Sequence, residues 1–398
     1  MKKNVIALII SLLILLSWST DSGAELKDLI PGLYGGDGIT LTTANSHTAH
    51  FTTQSLVNVN KLSNQIGSEI GTFPFSSSVG AFSYAFDKQT GSFVQSSRSL
   101  GPLFAERAET LGRGKFNFGI SFSFFTFDRF DGEDLDDITV VAPHIFDSIA
   151  PPSTPELFEN DNILINLDTN IDVRKFSFTA TYGITDKLDF GFVIPIIDIY
   201  MNVRALAQVE VSPLTPIPTT HTFVGAPDQA VDTKNGHATG PGDMVLRSKY
   251  QILNSDVINA AAMIQAKLAT GDEDNFLGTG DTNIKPILVL SRTFFEILTP
   301  HINVGYDINI DNSHESALEY AVGFDVGDKI FTVAGDVLGS HELDSIDNIG
   351  DEIISGLLGF KWNPIKQLLL TSNIQIPLNP NSGLRSNLIA TIGMEFSL

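Results

Sequence analysis

The 398-residue sequence contains no cysteine, which excludes a lipoprotein attachment site, a disulfide framework, thiolate metal ligands and a cysteine nucleophile together. Beyond its first sixteen residues it has no apolar run of helix-spanning length, so the remainder either is soluble or crosses a membrane as strands. Catalytic signatures are missing as well. There is no Gly-x-Ser-x-Gly elbow, and Gly240-Pro241-Gly242 lacks the Gly-Lys-Ser/Thr that a phosphate loop needs. The 8 histidines show no metal-ligand spacing beyond His47 and His50, three apart. Basic residues are scarce, 24 against 46 acidic for a formal charge of −22, which argues against nucleic acid as a partner. No cofactor and no chemical step are expected.

What is present begins with Lys2 and Lys3 ahead of an apolar run from Val5 to Leu16, with the small residues Ser22-Gly23-Ala24 following. Such a run falls short of the ~20 residues of a spanning helix and matches a cleaved secretory signal peptide over 1–24 better than an anchor. Loss of Lys2, Lys3 and Asp21 moves the formal charge from −22 to −23. At the other end, Leu388, Ala390, Ile392, Met394, Phe396 and Leu398 alternate with small or polar residues, Ile389 excepted. One face suits lipid and the other a wet lumen, as in the closing strand of an outer-membrane barrel; a soluble sheet would alternate too.

Similar alternation recurs near residues 115–127, 163–184, 188–206, 243–253, 257–269, 282–293, 297–309, 317–326, 329–339, 353–363, 367–378 and 386–398. Twelve strands result, with connections alternating between short turns such as Thr185-Asp186-Lys187 and long loops such as 128–162 and 207–242. That parity suits a barrel with both chain ends in the periplasm, and a soluble sandwich has no reason to obey it. The 28 phenylalanines beside 2 tryptophans place most aromatic content in the lipid-facing band. The expected fold is therefore all-β, a transmembrane antiparallel up-and-down barrel of 12 strands over 115–398. A hairpin from 79–87 and 91–98 would raise the count to 14.

Two adjacent strands change phase. Apolar positions are odd from Ile163 to Val173 and even from Phe176 to Ile184, then even from Leu188 to Ile196 and odd from Ile197 to Val211. A change of phase at constant side needs an inserted residue, so bulges are expected at Arg174 and at Pro195-Ile196, where a ladder N–H is missing. They would be either curvature at the rim or a weakened seam opening sideways into lipid. Residues 25–114 lack the barrel pattern. Leu56, Val59, Leu62, Ile66 and Ile70 have near-helical spacing, and the segment would either fold back as a lumen plug or hang in the periplasm.

Particular strings carry a resemblance. Leu100-Gly101-Pro102-Leu103-Phe104-Ala105-Glu106-Arg107-Ala108, Tyr182-Gly183-Ile184-Thr185-Asp186-Lys187-Leu188-Asp189, Gly242-Asp243 with Arg247-Ser248-Lys249-Tyr250, and Leu268-Ala269-Thr270-Gly271-Asp272 with Gly278-Thr279-Gly280 resemble the phenol meta-pathway degradation family of outer-membrane barrels. The likeness covers most of residues 100–398. Ala269 stands where that pattern has proline, and the chain ends Phe396-Ser397-Leu398 in place of a terminal aromatic. The resemblance implies a passive outer-membrane transporter of small hydrophobic or aromatic compounds. In plan it is more distantly similar to the outer-membrane long-chain fatty-acid transporters. Expected partners are outer-membrane lipid, the solute and the barrel assembly machinery. A general diffusion porin for polar solutes and a structural or adhesive barrel stay open as alternatives.

If even positions face lipid in the strands from 243 to 309, then Arg247, Lys249, Lys267, Lys285 and His301 point into the lumen with Asp243, Asp307, Glu319 and Asp325. They form either a mutually satisfied charge network or a basic stripe that attracts a solute's carboxylate or phenolate. The loop bearing Asp272, Glu273 and Asp274 either binds a cation such as Ca²⁺ or is a solvated turn; the spacing is not that of an EF-hand.

Overall fold

The computed structural model describes residues 25–34, 38–41, 66–67, 69–70, 84–87, 92–95, 99–143, 161–211, 213, 222–226, 228–255, 257–343, 351–365 and 367–398. The expected signal peptide, the histidine pair and the residues from Leu56 to Leu62 lie outside them. In chain order the strands are β1 (Tyr84–Asp87), β2 (Ser92–Gln95), β3 (Phe116–Phe127), β4 (Arg129–Phe130), β5 (Glu133–Asp134), β6 (Ile138–Pro143), β7 (Asn162–Gly183), β8 (Leu188–Glu210), β9 (Gln229–Pro241) and β10 (Met244–Leu253). They continue as β11 (Asn259–Leu268), β12 (Asn283–Ser291), β13 (Leu298–Asn309), β14 (Ala317–Gly327), β15 (Phe331–Glu342), β16 (Glu352–Ile365), β17 (Leu368–Pro377), β18 (Leu384–Arg385) and β19 (Ile389–Ser397).

Twelve of these, β3, β7, β8, β10 to β17 and β19, close into an antiparallel ring. Neighbours along the chain pair around it, β19 pairs with β3, and the β7–β8 pairing completes the circle. The ends of all twelve lie close to the expected ones, because one face sees lipid and the other the lumen along most of each strand. β1 and β2 form a separate two-stranded sheet, so that hairpin does not widen the barrel to fourteen. The outer surface carries exposed Phe118, Phe124, Phe190, Tyr250, Ile264, Leu288, Ile302, Phe324, Leu358, Trp362 and Ile392. A closed even-stranded barrel with such an apolar belt is an outer-membrane protein, its short turns at one rim and its long loops at the other.

The two expected bulges are corrected by the pairing. β7 and β8 run in one register from Asn162↔Glu210 to Gly183↔Asp189, straight through Arg174↔Asp198 and Ser177↔Pro195, without a slip. Odd side chains point inward along both strands, and it is the surroundings that change. In the lower half the even residues Phe176, Tyr182 and Phe190 meet lipid. Above it the hairpin outgrows the bilayer, and its inner face, Ile163, Ile165, Leu167, Ile171, Ile199, Met201 and Val203, is fully buried against Leu26, Leu29, Ile30, Leu33 and Ile39 of the N-terminal segment. An apolar residue turned from lipid to a covered lumen shifts the sequence phase by one with no inserted residue.

A one-residue slip does exist, in the neighbouring strand. β8 pairs with β10 through Val193↔Val245 and with β9 through Ile196↔Pro241, so β9 and β10 are one continuous strand with Gly242 and Asp243 bulged out opposite Pro195. Pro195 has no N–H to donate; its carbonyl accepts the Gly242 N–H at 2.9 Å. β6 similarly pairs with the upper part of β7. The connections expected as loops at 128–162 and 207–242 therefore contain strands that extend the wall outward.

Candidate functional site

The lumen is crossed at the short-turn end by residues 99–111, a strap without regular structure whose polar groups are met by inward side chains of the wall. Leu100 N–H donates to Thr332 Oγ1 at 2.8 Å, Ala108 N–H to Ser291 Oγ at 3.2 Å and Leu111 N–H to Asp189 Oδ2 at 2.9 Å. Asn303 clamps Glu106 from both sides, accepting its N–H at 2.6 Å and donating to its carbonyl at 2.9 Å. Backbone donors in a segment with no ladder need such partners, since an unmet buried N–H costs about 1–3 kcal/mol.

Charge fixes the strap's middle. Arg107 is 2% exposed and its guanidinium forks onto both carboxylate oxygens of Asp325, with Nε to Oδ1 at 3.0 Å. His301, likewise buried, lies 3.8 Å from Asp325 and 2.7 Å from Asp336 Oδ1, and the other oxygen of Asp336 accepts the Phe104 N–H at 3.2 Å. Lys249 donates to Glu106 Oε2 at 2.9 Å and to the Arg107 carbonyl at 3.2 Å, with Arg247 at 4.0 Å from Glu106 Oε1. A second group lies higher: Lys285 bridges Asp307 at 3.2 Å and Glu319 at 2.6 Å, while Lys267 donates to Thr279 Oγ1 at 2.7 Å.

All five expected lumen residues, Arg247, Lys249, Lys267, Lys285 and His301, thus point inward and are engaged by the wall or the strap. Glu106 and Arg107, which hold the lower group together, were invisible to strand register because the strap has no periodicity. The Asp272-Glu273-Asp274 loop is a short 3₁₀ turn capped by Asp272, which accepts the Asp274 N–H at 3.1 Å. Asp274 pairs with Lys27 of the N-terminal segment. Among the described residues no three His, Asp, Glu or Cys side chains are grouped as a metal site would need; Asp272 caps the turn and Asp274 meets the segment docked on it.

The bulge is built from the strings that carried the resemblance. Asp243 points inward and accepts four bonds: from Thr270 N–H at 3.1 Å, Gly271 N–H at 2.9 Å, Thr279 N–H at 2.8 Å and Thr279 Oγ1 at 3.1 Å. Gly271 and Gly278 are in backbone contact, so a Cβ on Gly271 would stand 2.7 Å from the Gly278 Cα. The bulged carboxylate thus folds the 270–281 loop inward over the lumen.

Between strap and loop lies a cavity of about 620 Å³. Its wall mixes Phe104, Phe125, Phe127, Phe276 and Tyr320 with the upper charges and Asn283. Ile66, Gly67, Glu69 and Ile70 are helical, as their spacing suggested, and line or support its upper side with Ile66 and Ile70 fully buried. Burial pushes the Glu69 carboxyl up to about 7, reinforced by Glu342 and opposed by the Arg385 guanidinium.

A crystallised outer-membrane channel from Pseudomonas putida F1 is 10% identical, with 73% of this chain and 98% of that one aligned at a TM-score of 0.45. The toluene transporter TbuX of Ralstonia pickettii is 11% identical over 72% of this chain and 90% of its own, TM-score 0.35. A Pseudomonas aeruginosa FadL homologue is 10% identical over 72% and 89%, TM-score 0.34. No curated protein matches the sequence. The sequence profile of the family described as "Putative MetA-pathway of phenol degradation" matches residues 160–390, more than half of the chain, and the protein belongs to that family.

Proposed function

We propose that the protein carries small hydrophobic or aromatic solutes passively across the outer membrane, with residues 25–114 acting as a plug that must yield for a solute to pass. The observation that carries this reading is the 620 Å³ cavity inside the barrel, floored by the strap and lined in part by phenylalanine. A pocket of that size, with aromatic walls and a few placed polar groups, suits one small ligand. A solute held there has two ways out, downward past the strap or sideways at the Gly242-Asp243 bulge. At that bulge the wall between β8 and its neighbour is one ladder bond short. The polar-porin alternative needs an open lumen, and the strap bonded across it weighs against that. No chemical step and no cofactor enter the reading.

The test is uptake by Gram-negative cells expressing the protein. Labelled toluene should accumulate faster than in cells without it, while lactose uptake stays unchanged. An equal rise for both would make the protein a general porin, and no rise for either would return it to a structural or adhesive role.

A further inference from the structure

The cavity above the strap has two unlike walls. Phe125 and Phe127 of β3, Phe276 of the 270–281 loop and Phe104 of the strap supply aromatic surface. On β10, β11 and β12 the lining is made of hydrogen-bond donors. Arg247 faces Gln265 across the ladder and Gln265 faces Lys285, so three long side chains stand in one row with Cβ atoms about 5 Å apart. Lys267 stands one inward step of ~7 Å higher on β11.

Two members of this patch are under-used. The Gln265 side-chain amide borders the cavity and has no hydrogen-bond partner among the described residues. Lys267 donates one bond, to Thr279 Oγ1 at 2.7 Å, and pairs with no carboxylate among the described residues. An ammonium carries three donors, so two remain for the cavity that Lys267 lines. Lys285 differs, being held by both Asp307 and Glu319.

The acids that share the field of Lys267 are Asp243, Asp281, Asp307 and Glu315, and each already has partners. Asp243 receives its four bonds from the 270–281 loop. Asp307 accepts from Asn283 Nδ2 at 3.0 Å as well as from Lys285, Asp281 from Asn309 Nδ2 at 2.9 Å and Glu315 from Asn312 Nδ2 at 2.8 Å. They offset the ammonium at a distance without occupying its donors. What the patch lacks is a group that accepts two bonds at short range.

We propose that the cavity takes an aromatic monocarboxylate, its carboxylate bound by Lys267 Nζ and Gln265 Nε2 and its ring lying among Phe104, Phe125, Phe127 and Phe276. The proposal rests on the reading of the cavity as a solute site and narrows the solute to one class. A carboxylate offers two oxygens to two donors, and its charge strengthens the bond to the ammonium. A phenol, neutral near pH 7, has one oxygen and no charge, and toluene offers neither donor a partner.

The experiment is isothermal titration calorimetry of the refolded chain in detergent micelles near neutral pH, with benzoate and with benzamide, its uncharged analogue of the same shape. Folding is checked by heat-dependent gel mobility. Benzoate should bind about tenfold more tightly, the worth of one charge-assisted hydrogen bond. Lys267→Met should erase that preference, Gln265→Leu should reduce it and Lys267→Arg should keep it. Benzoate bound no more tightly than benzamide by the parent chain would overturn the proposal whatever the variants do. So would a folded Lys267→Met protein that keeps the preference. Toluene uptake by expressing cells separates this from the transport reading. Uptake without a benzoate preference sinks the carboxylate site alone, and a benzoate preference without uptake removes the hydrophobic route and keeps the site.

Discussion

The two sides of the lumen wall at the level of the strap use polarity in opposite ways. From β8 to β15 the inward residues are long and charged, and nearly all of them grip residues 99–111. From β16 round to β3 they are mostly uncharged, Lys361 and Glu395 excepted, and several polar atoms of that wall meet no protein group. The contrast shows that charge in a barrel interior can serve as mortar. The basic residues that look from register like a solute-attracting stripe are held by Glu106, Asp307, Glu319, Asp336 and Thr279, whereas the opposite side meets the strap through an apolar contact, Leu100 on Leu369.

Removing one anchor should therefore cost far more than removing a polar group opposite. Asp325→Asn leaves the Arg107 charge buried without its counterion and should destabilise the barrel by about 3–5 kcal/mol, read from denaturant unfolding in detergent micelles. Gly183→Ala attacks the strap's exit, because a Cβ there would stand 1.9 Å from the Gly112 carbonyl oxygen. Displacing that backbone should cost about 1–3 kcal/mol by the same assay. Asn373→Ala, on the opposite side, deletes a buried oxygen that has no protein partner, and its effect should stay within about 1 kcal/mol. An Asn373 loss as large as that of Asp325 would erase the distinction between the two sides.

The upper end of the N-terminal segment adds a pH dependence. The Glu69 carboxyl has its folded value raised to about 7 from an ordinary 4.5, so the folded state holds the proton more tightly than the unfolded one. Stability should accordingly be greatest below about pH 4.5 as far as this group is concerned, and should fall as pH rises from there to about 7. Glu69→Gln should flatten that part of the profile and stabilise the protein at pH 8. An unchanged slope would show that the Glu69 carboxyl is not buried. The smallest effect belongs to Lys27→Ala, which removes a solvent-exposed pair with Asp274 and should leave the unfolding midpoint where it was.

The strands were legible because lipid enforces a period of two on every one of them, down to Asn117, Gly119, Ser121 and Ser123 facing in behind Phe118, Phe122 and Phe124. The same rule misled at β7 and β8. Ile163 to Val173 and Ile197 to Ala207 are apolar on the inner face because the N-terminal segment covers them, and period alone does not say which face is covered. The site was half legible. Register placed Arg247, Lys249, Lys267, Lys285 and His301 in the lumen, but their partners Glu106 and Arg107 sit on a stretch with no periodicity, and only the likeness of Leu100 to Ala108 to a family string drew notice to it. Asp243 read as one more inward acid; that it occupies a bulge follows only from the pairing of β8 with both β9 and β10.

Closure of the main lumen by the strap is tested most directly by single-channel recording of the refolded chain beside Arg107→Ala/Asp325→Ala, a pair that removes both charges and orphans neither. The parent should stay closed for most of the recording and the double variant should show frequent large openings. A large, steady conductance from the parent, or a double variant indistinguishable from it, would contradict the strap as the plug.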